Sequence, residues 1–151
     1  MTELLTFKLK ITDFHSEGFE FLSNFFMKEQ YYWGNNTFKS AEHAYQYQKA
    51  VHDADRRAIE NASTPGQAKK IGRQIEIRKD WEYVKLWVML EIIRRKFCNS
   101  AMGELLLGTG DAELIEGNTW GDTFWGVCRG KGENHLGKIL MLVRDELREK
   151  E

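Results

Sequence analysis

Proline is nearly missing from this 151-residue chain: Pro65 stands alone, and no Pro- or Gly-rich stretch, repeat or low-complexity tract offers a linker. One domain over residues 1–151 is therefore expected, at a length that buries most of the surface the unfolded chain would expose. Cysteine is scarce too. Cys98 and Cys128 form no CxxC pair, and with four scattered histidines they give no metal-ligand spacing. The interior is expected to be reduced and metal-free, with no cofactor required. An excess of one charge is also lacking: 22 Lys and Arg face 23 Asp and Glu, so no global field draws the chain to DNA, RNA or an anionic membrane. No apolar run is long enough to span a bilayer, and the opening MTELLTFKLK alternates apolar with charged residues, unlike a signal peptide. The expected setting is the cytoplasm, with no membrane partner.

What is present is periodicity. Leu5, Phe7, Leu9 and Ile11 alternate with Thr6, Lys8, Lys10 and Thr12, the signature of a half-buried strand. YYWGNNTF sets aromatic and β-branched residues on both sides of a Gly-Asn-Asn turn, which predicts a hairpin. Ser40 reads as the N-cap of a long helix running through AEHAYQYQKAVHDADRRAIENA. In STPGQAKKIG, Thr64 is a cap, Pro65 takes the first helical position and Gly72 is the stop of a short helix. From Asp80, DWEYVKLWVMLEIIRRKF is apolar on nearly every side, Trp87 included, as expected of a central helix packed on several neighbours. AMGELLLGTG reads as further helical turns closed by Gly108, and AELIE as a short strand. HLGKILMLVRDELREK is a closing helix, with Leu136, Ile139, Leu140, Val143 and Leu147 at helical spacing. The fold class is α+β: mostly helical, with a few short strands.

On the first long helix, Ala44, Tyr47, Val51, Ala54 and Ala58 form a stripe expected to face the core. Glu42, Gln46 and Lys49 cluster on the opposite side, and Glu42, in the first turn, is favoured as a carboxylate by the helix dipole. Such a face is either a solvated surface or a site. The tryptophans pose the same choice. Trp81, at a helix start, is a packing staple or a ligand contact. Trp120 and Trp125 flank Asp122 in NTWGDTFWG, a Gly-hinged loop without a periodic face to bury them; aromatic walls beside a carboxylate suit a flat, polar heterocycle. CRGKGENHLG, residues 128–137, sets glycines around Lys131 and puts Asn134 before a helix, either a phosphate cradle or a plain Gly-rich turn.

Together, FLSNFF (21–26), SAEHAYQYQKA (40–50), RKDW (78–81), LLLGTGDAELIE (105–116), DTFWG (122–126) and GKGENHLGKILMLVRDEL (130–147) resemble the NADAR (NAD- and ADP-ribose-associated) family and its YbiA-like branch. The match covers about residues 19 to 148 in the family's own order. The resemblance implies an α+β, mostly helical YbiA-like fold and cleavage of N-glycosidic bonds to ribose. YbiA-like members are similar to N-glycosidases that split phosphorylated ribosylamino-pyrimidine intermediates of riboflavin synthesis; other branches remove ADP-ribose from guanine in nucleic acid. The family's functional positions carry over onto Glu42, Trp81, Asp122 and Trp125. Lys49 matches the lysine of the helix motif, which in the ADP-ribosyl-guanine hydrolases attacks the opened ribose as an imine-forming amine, and Asn24 and Asn134 match motif positions implied to hold hydroxyls or phosphate. Trp120 and Cys128 depart from the familiar pattern and bear on the leaving-group pocket.

Three functions follow as expectations. The first is an N-glycosidase acting on a small ribosylated and phosphorylated molecule, with Glu42 stabilising positive charge on the sugar, Asp122 as acid, Lys49 as covalent trap, and Trp81, Trp120 and Trp125 against the base. The division between Glu42 and Asp122 is open to reversal. The second is an ADP-ribosyl hydrolase on guanine in nucleic acid, for which the basic clusters at 56–57, 69–70 and 94–96 are the candidate groove. The third is a non-catalytic module that binds ADP-ribose or NAD. Both carboxylates and the lysine together favour an enzyme, and near-neutral charge favours the small substrate. Oligomeric state is not encoded legibly.

Overall fold

The computed structural model describes residues 10–16, 18–27, 31–33 and 36–151, with 31–33 as backbone alone. The Leu5 to Leu9 part of the expected first strand and the centre of the hairpin turn lie outside the described residues. In chain order the elements are β1 (Lys10–Ile11), β2 (Tyr31–Trp33), β3 (Asn36–Phe38), α1 (Ala41–Lys49), α2 (Asp53–Asn61), α3 (Pro65–Gly72), α4 (Trp81–Lys96), α5 (Ser100–Leu107), β4 (Glu113–Leu114), β5 (Gly117–Asn118), β6 (Val127–Cys128) and α6 (His135–Glu149). This is the mostly helical α+β class with short strands. By packing the chain groups into two compact units, Asn24–Asn99 and a second made of Met1–Ser23 with Ser100–Glu151.

The Asn24–Asn99 unit holds the β2/β3 antiparallel hairpin, in register Tyr31↔Phe38 and Trp33↔Asn36, and the helices α1 to α4. Two helix starts follow from local chemistry. Ser40 Oγ accepts the His43 N–H at the head of α1, and Thr64 Oγ1 accepts the Gln67 N–H at the head of α3, where Pro65 supplies no amide proton of its own. The long helix expected from Ser40 onward is instead two. The chain turns extended at Ala50, which bridges to Ile77, while the Lys49 carbonyl accepts the Arg78 N–H; this long-range pairing ends α1 and lets α2 start at Asp53. Ala50, Ile59, Ala62 and Ala68 form a small core under Tyr47, Ile71 and Ile75.

The break overturns the expected core stripe. Ala44 is buried and Tyr47 packs on the core, but Val51, Ala54 and Ala58 are exposed. Every residue from Ala41 to Gln46 is buried, so α1 turns polar groups inward as well. On α4 the buried set is Trp81, Val88, Met89, Ile92, Ile93 and Lys96, and Trp87 is 58% exposed rather than core. A helix apolar all round does not announce which side is covered.

In the second unit β1 pairs parallel with β4, extended by the Ile115 N–H to the Ile11 carbonyl, and β5 pairs parallel with β6. Helix α6 packs on α5 and β4. Its stripe is as expected: Leu136, Ile139, Leu140 and Val143 are buried, with Leu147 half-buried. Buried Arg144 donates from Nη1 to Thr109 Oγ1 and to the Ala112 carbonyl, both at 2.9 Å, tying α6 to the turn after α5.

Candidate active site

The first two turns of α1 concentrate the polar chemistry of the Asn24–Asn99 unit. Glu42, Gln46 and Lys49 lie on one face by their spacing of four and three residues. Gln46 Nε2 donates to Glu42 Oε2 at 2.6 Å, and Gln46 Oε1 accepts from Lys49 Nζ at 3.2 Å. Glu42 and Gln46 are buried and Lys49 is half-buried, so the face is no solvated surface. Burial holds the Lys49 ammonium below the ordinary lysine range. Glu42 pulls the other way, while Arg73, Lys69 and Lys85 add to the depression. Those three cations come from α3, its C-cap and α4, so helix packing gathers around one amine a set of charges that spacing along the chain does not reveal.

The head of α1 is held from two sides. The Glu42 N–H donates to the Asn24 carbonyl at 3.0 Å, fixing the backbone that carries the carboxylate. Asn24 Nδ2 donates to the Met89 sulfur at 3.6 Å, and its Oδ1 is buried with no hydrogen-bond partner among the described residues. His43 is fully buried: Nε2 reaches the Ala62 carbonyl at 2.9 Å and Nδ1 reaches Ser40 Oγ at 2.7 Å. A carbonyl only accepts, so Nε2 carries the proton and Nδ1 takes the Ser40 hydroxyl proton, the arrangement of a neutral imidazole. Burial pushes its pKa down, and Lys39 adds to this against the Ala62 bond.

Trp81 is 6% exposed and packs against the Tyr45 ring, centroids 5.0 Å apart. The staple reading fits this packing. Several side chains of the basic clusters have local partners, while Arg57 is exposed. Arg56 donates to the Ala50 carbonyl and lies over the Tyr47 ring; Arg94 and Arg95 pair with Glu91 at 2.7 and 2.9 Å; Lys96 is buried beside Phe26 and Phe97. Lys69 sits over the Phe25 ring.

The NTWGDTFWG loop of the other unit is a different kind of structure. Asn118 Nδ2 donates to the Asp122 carbonyl and Oδ1 accepts the Asp122 N–H. Asp122 Oδ1 in turn accepts the N–H groups of Phe124, at 3.1 Å, and Trp125, at 2.9 Å. Trp125 meets Phe124 edge to face at 4.8 Å, while half-exposed Trp120 meets His15 at 5.6 Å. The two indoles thus take different neighbours. Asn134, expected to hold hydroxyls or phosphate, is buried with its amide on the main chain: Oδ1 accepts the Glu116 N–H and Nδ2 donates to the Leu114 carbonyl, both at 2.9 Å. In the 128–137 stretch the main-chain N–H groups next to α6 are taken up by the chain itself. The N–H groups of Glu133, Asn134, His135 and Leu136 donate to the carbonyls of Thr123, Gly126, Phe124 and Trp125, so the head of α6 is satisfied by the loop.

Gln46 stands in the right register between Glu42 and Lys49, yet an amide does not signal chemistry by itself. Gly72 carries a signal only in three dimensions, since a Cβ there would overlap Gln46 Oε1. Among the described residues, no group of three or more His, Cys, Asp or Glu side chains is placed to hold a metal ion, and no helix is long and apolar enough to cross a membrane.

The model of the NADAR domain matches residues 12–148. An N-glycosidase of Nostoc punctiforme is 44% identical over 116 residues, which is 72% of this chain and 74% of that protein. The N-glycosidase YbiA of Escherichia coli K12 is 40% identical over 115 residues, 74% of this chain and 71% of YbiA. A riboflavin biosynthesis protein of Vibrio vulnificus is 38% identical over 137 residues, 88% of this chain but 37% of that longer protein. The NMR structure of E. coli YbiA superposes with a TM-score of 0.82 at 32% identity, covering 94% of this chain and 85% of that one.

Proposed function

The chain belongs to the NADAR domain family, and from that premise we propose that it hydrolyses the ribosyl C1–N bond of ribosylamino-pyrimidine 5′-phosphate intermediates of riboflavin biosynthesis. It is an enzyme of the N-glycosidase kind, as its relatives at 40–44% identity are named. The observation that carries the finer reading is the buried row Glu42, Gln46, Lys49, with the amine held below its ordinary pKa.

Cleavage of a ribosylamine develops positive charge at C1, and a fixed carboxylate in a half-dry site stabilises it. Glu42 is assigned that role. Lys49 is the nucleophile. With the sugar ring open and C1 joined to the pyrimidine nitrogen as an imine, Nζ adds to C1. The old C1–N bond then breaks as the departing nitrogen takes up a proton, leaving an imine to Lys49. Water releases Lys49 from C1, giving ribose 5-phosphate and the aminopyrimidine with no change of oxidation state. The cations Lys69, Arg73 and Lys85 near Lys49 suit a phosphate on the sugar. Asn24, whose carbonyl anchors Glu42, is assigned to a ribose hydroxyl through its buried Oδ1.

Asp122, Trp120, Trp125 and Asn134 enter this reading through the loop they build. Asp122 Oδ1 organises the segment that presents Trp125. The name of the Vibrio relative supports a riboflavin-pathway substrate. Local use of Arg56, Arg94 and Arg95 weighs against a nucleic-acid groove.

The test is product analysis by mass spectrometry on purified protein, with ribosylamino-pyrimidine 5′-phosphate and with ADP-ribosylated guanine DNA in separate reactions, beside Glu42→Ala. Ribose 5-phosphate from the first, absent with Glu42→Ala, is the expected result. ADP-ribose from the second alone moves the chain to nucleic-acid repair, and cleavage of neither supports a binding module. Borohydride added during turnover should fix the sugar to Lys49 as a reduced imine found on its peptide.

A further inference from the structure

Lys49 and Glu42 belong to one helix and carry opposite charges, yet the hydrogen bonds between them run through an amide. Gln46 fills the gap, donating from Nε2 to the carboxylate and accepting at Oε1 from the amine. A carboxylate only accepts and an ammonium only donates, so the amide has one way to lie. The side chain is buried, at 4% exposure. Gly72, the last residue of α3, makes room for it, since a Cβ at that position would overlap Oε1 and crowd Cδ and Cγ.

We propose that Gln46, seated against Gly72, is a positioning residue that keeps Glu42 from pairing directly with Lys49 and so leaves the amine available as a nucleophile. The inference rests on the N-glycosidase reading above only for what the amine then does.

A direct ion pair would favour the ammonium, because an opposite charge at contact stabilises the charged form. Interposing a neutral amide weakens that attraction. It also occupies one N–H of Lys49 in either protonation state, which turns the nitrogen lone pair of the neutral amine away from Gln46. The other charges that act on Lys49 are Lys69 and Arg73 from the α3 side and Lys85 on α4, all cationic. Lys85 is itself paired with Glu82 at 2.9 Å. Glu42 is thus the anion that opposes them, and its hydrogen-bonded path to the amine is through Gln46.

Two substitutions test the spacer. Gln46→Glu puts a carboxylate directly on Lys49, and Gly72→Ala displaces the amide while leaving the chemical identity of all three side chains of the row unchanged. Both should move the Lys49 titration midpoint upward by about 1 pH unit or more, the usual effect of a close opposite charge. The readout is the Cε and Nζ chemical shift of Lys49 in isotope-labelled full-length protein, assigned with Lys49→Arg, and it needs no substrate. Circular dichroism confirms folding, and Gln46→Met, which fills the volume without the hydrogen bonds, serves as a third variant if either fails to fold. The pH profile of kcat on the ribosylamino-pyrimidine substrate should follow, with its rising limb displaced upward by the same interval and KM changed less than kcat. Equal midpoints in wild type, Gln46→Glu and Gly72→Ala would overturn the spacer role. A midpoint that moves while the kcat profile stays fixed leaves the spacer intact and overturns Lys49 as the nucleophile instead.

Discussion

Two sets of polar groups in this protein use hydrogen bonds differently. On α1, Glu42, Gln46 and Lys49 bond to one another, side chain to side chain. In the 114–137 segment, Asn118, Asp122 and Asn134 bond to backbone N–H and carbonyl groups. Groups that satisfy the main chain are consumed by folding, whereas groups that satisfy each other can exchange that partner for a ligand. The contrast distinguishes side chains bonded to one another from side chains bonded to the main chain among the residues of the motifs.

The sharpest way to break this division is to exchange the expected phenotypes. Glu42→Gln should lower kcat by about 10²- to 10⁴-fold, the range for loss of a positioned acid–base group, with little change in thermal unfolding. Asn134→Ala should do the opposite. Stranding the Glu116 N–H and the Leu114 carbonyl is expected to cost about 2 to 6 kcal/mol of stability, at 1 to 3 for each buried unsatisfied group, while kcat per folded molecule is retained. A raised KM with unchanged unfolding would return Asn134 to the substrate.

A smaller effect concerns Asp122. Its Oδ1 acts on Phe124 and Trp125 as a capping oxygen, so Asp122→Ala should cost about 1 kcal/mol, as loss of a cap does, and Asp122→Asn, which keeps an acceptor there, much less. Denaturant unfolding of the two variants distinguishes a cap from a charge. The smallest effect is a pH dependence from His43, whose pKa is pushed below its ordinary 6.5 by burial. The unfolded chain therefore binds the proton more readily, and this contribution to stability is present above pH 6.5 and is lost as pH falls through the folded value. Unfolding free energies of wild type and His43→Gln between pH 7 and pH 5 should converge on acidification.

Local signals carried much of the architecture. Ser40, Thr64 and Pro65 mark helix starts because their side chains act within three residues, and the α6 stripe is legible because one side of a long helix is covered. The interruption after Lys49 was invisible, as it comes from Ala50 meeting Ile77 and not from a Gly or Pro. With it went the assignment of faces, and Glu42 and Gln46 point to the interior that the stripe of alanines was expected to fill. Glu42 and Lys49 were legible as a constellation from spacing. The cations around them and the fit of Gly72 arise from helix packing, which no single helix encodes. Trp120 and Trp125 looked alike in sequence and part company in space, one half-exposed beside His15 and the other against Phe124.

The four N–H groups at the head of α6 that end on loop carbonyls have a dynamic consequence. Such a loop cannot open without uncapping the helix, so the two form one cooperative unit, and the amides of residues 133–136 should exchange with solvent deuterium at a single, slow rate. A segment fastened through its main chain can also exchange its outward side chains without losing its shape.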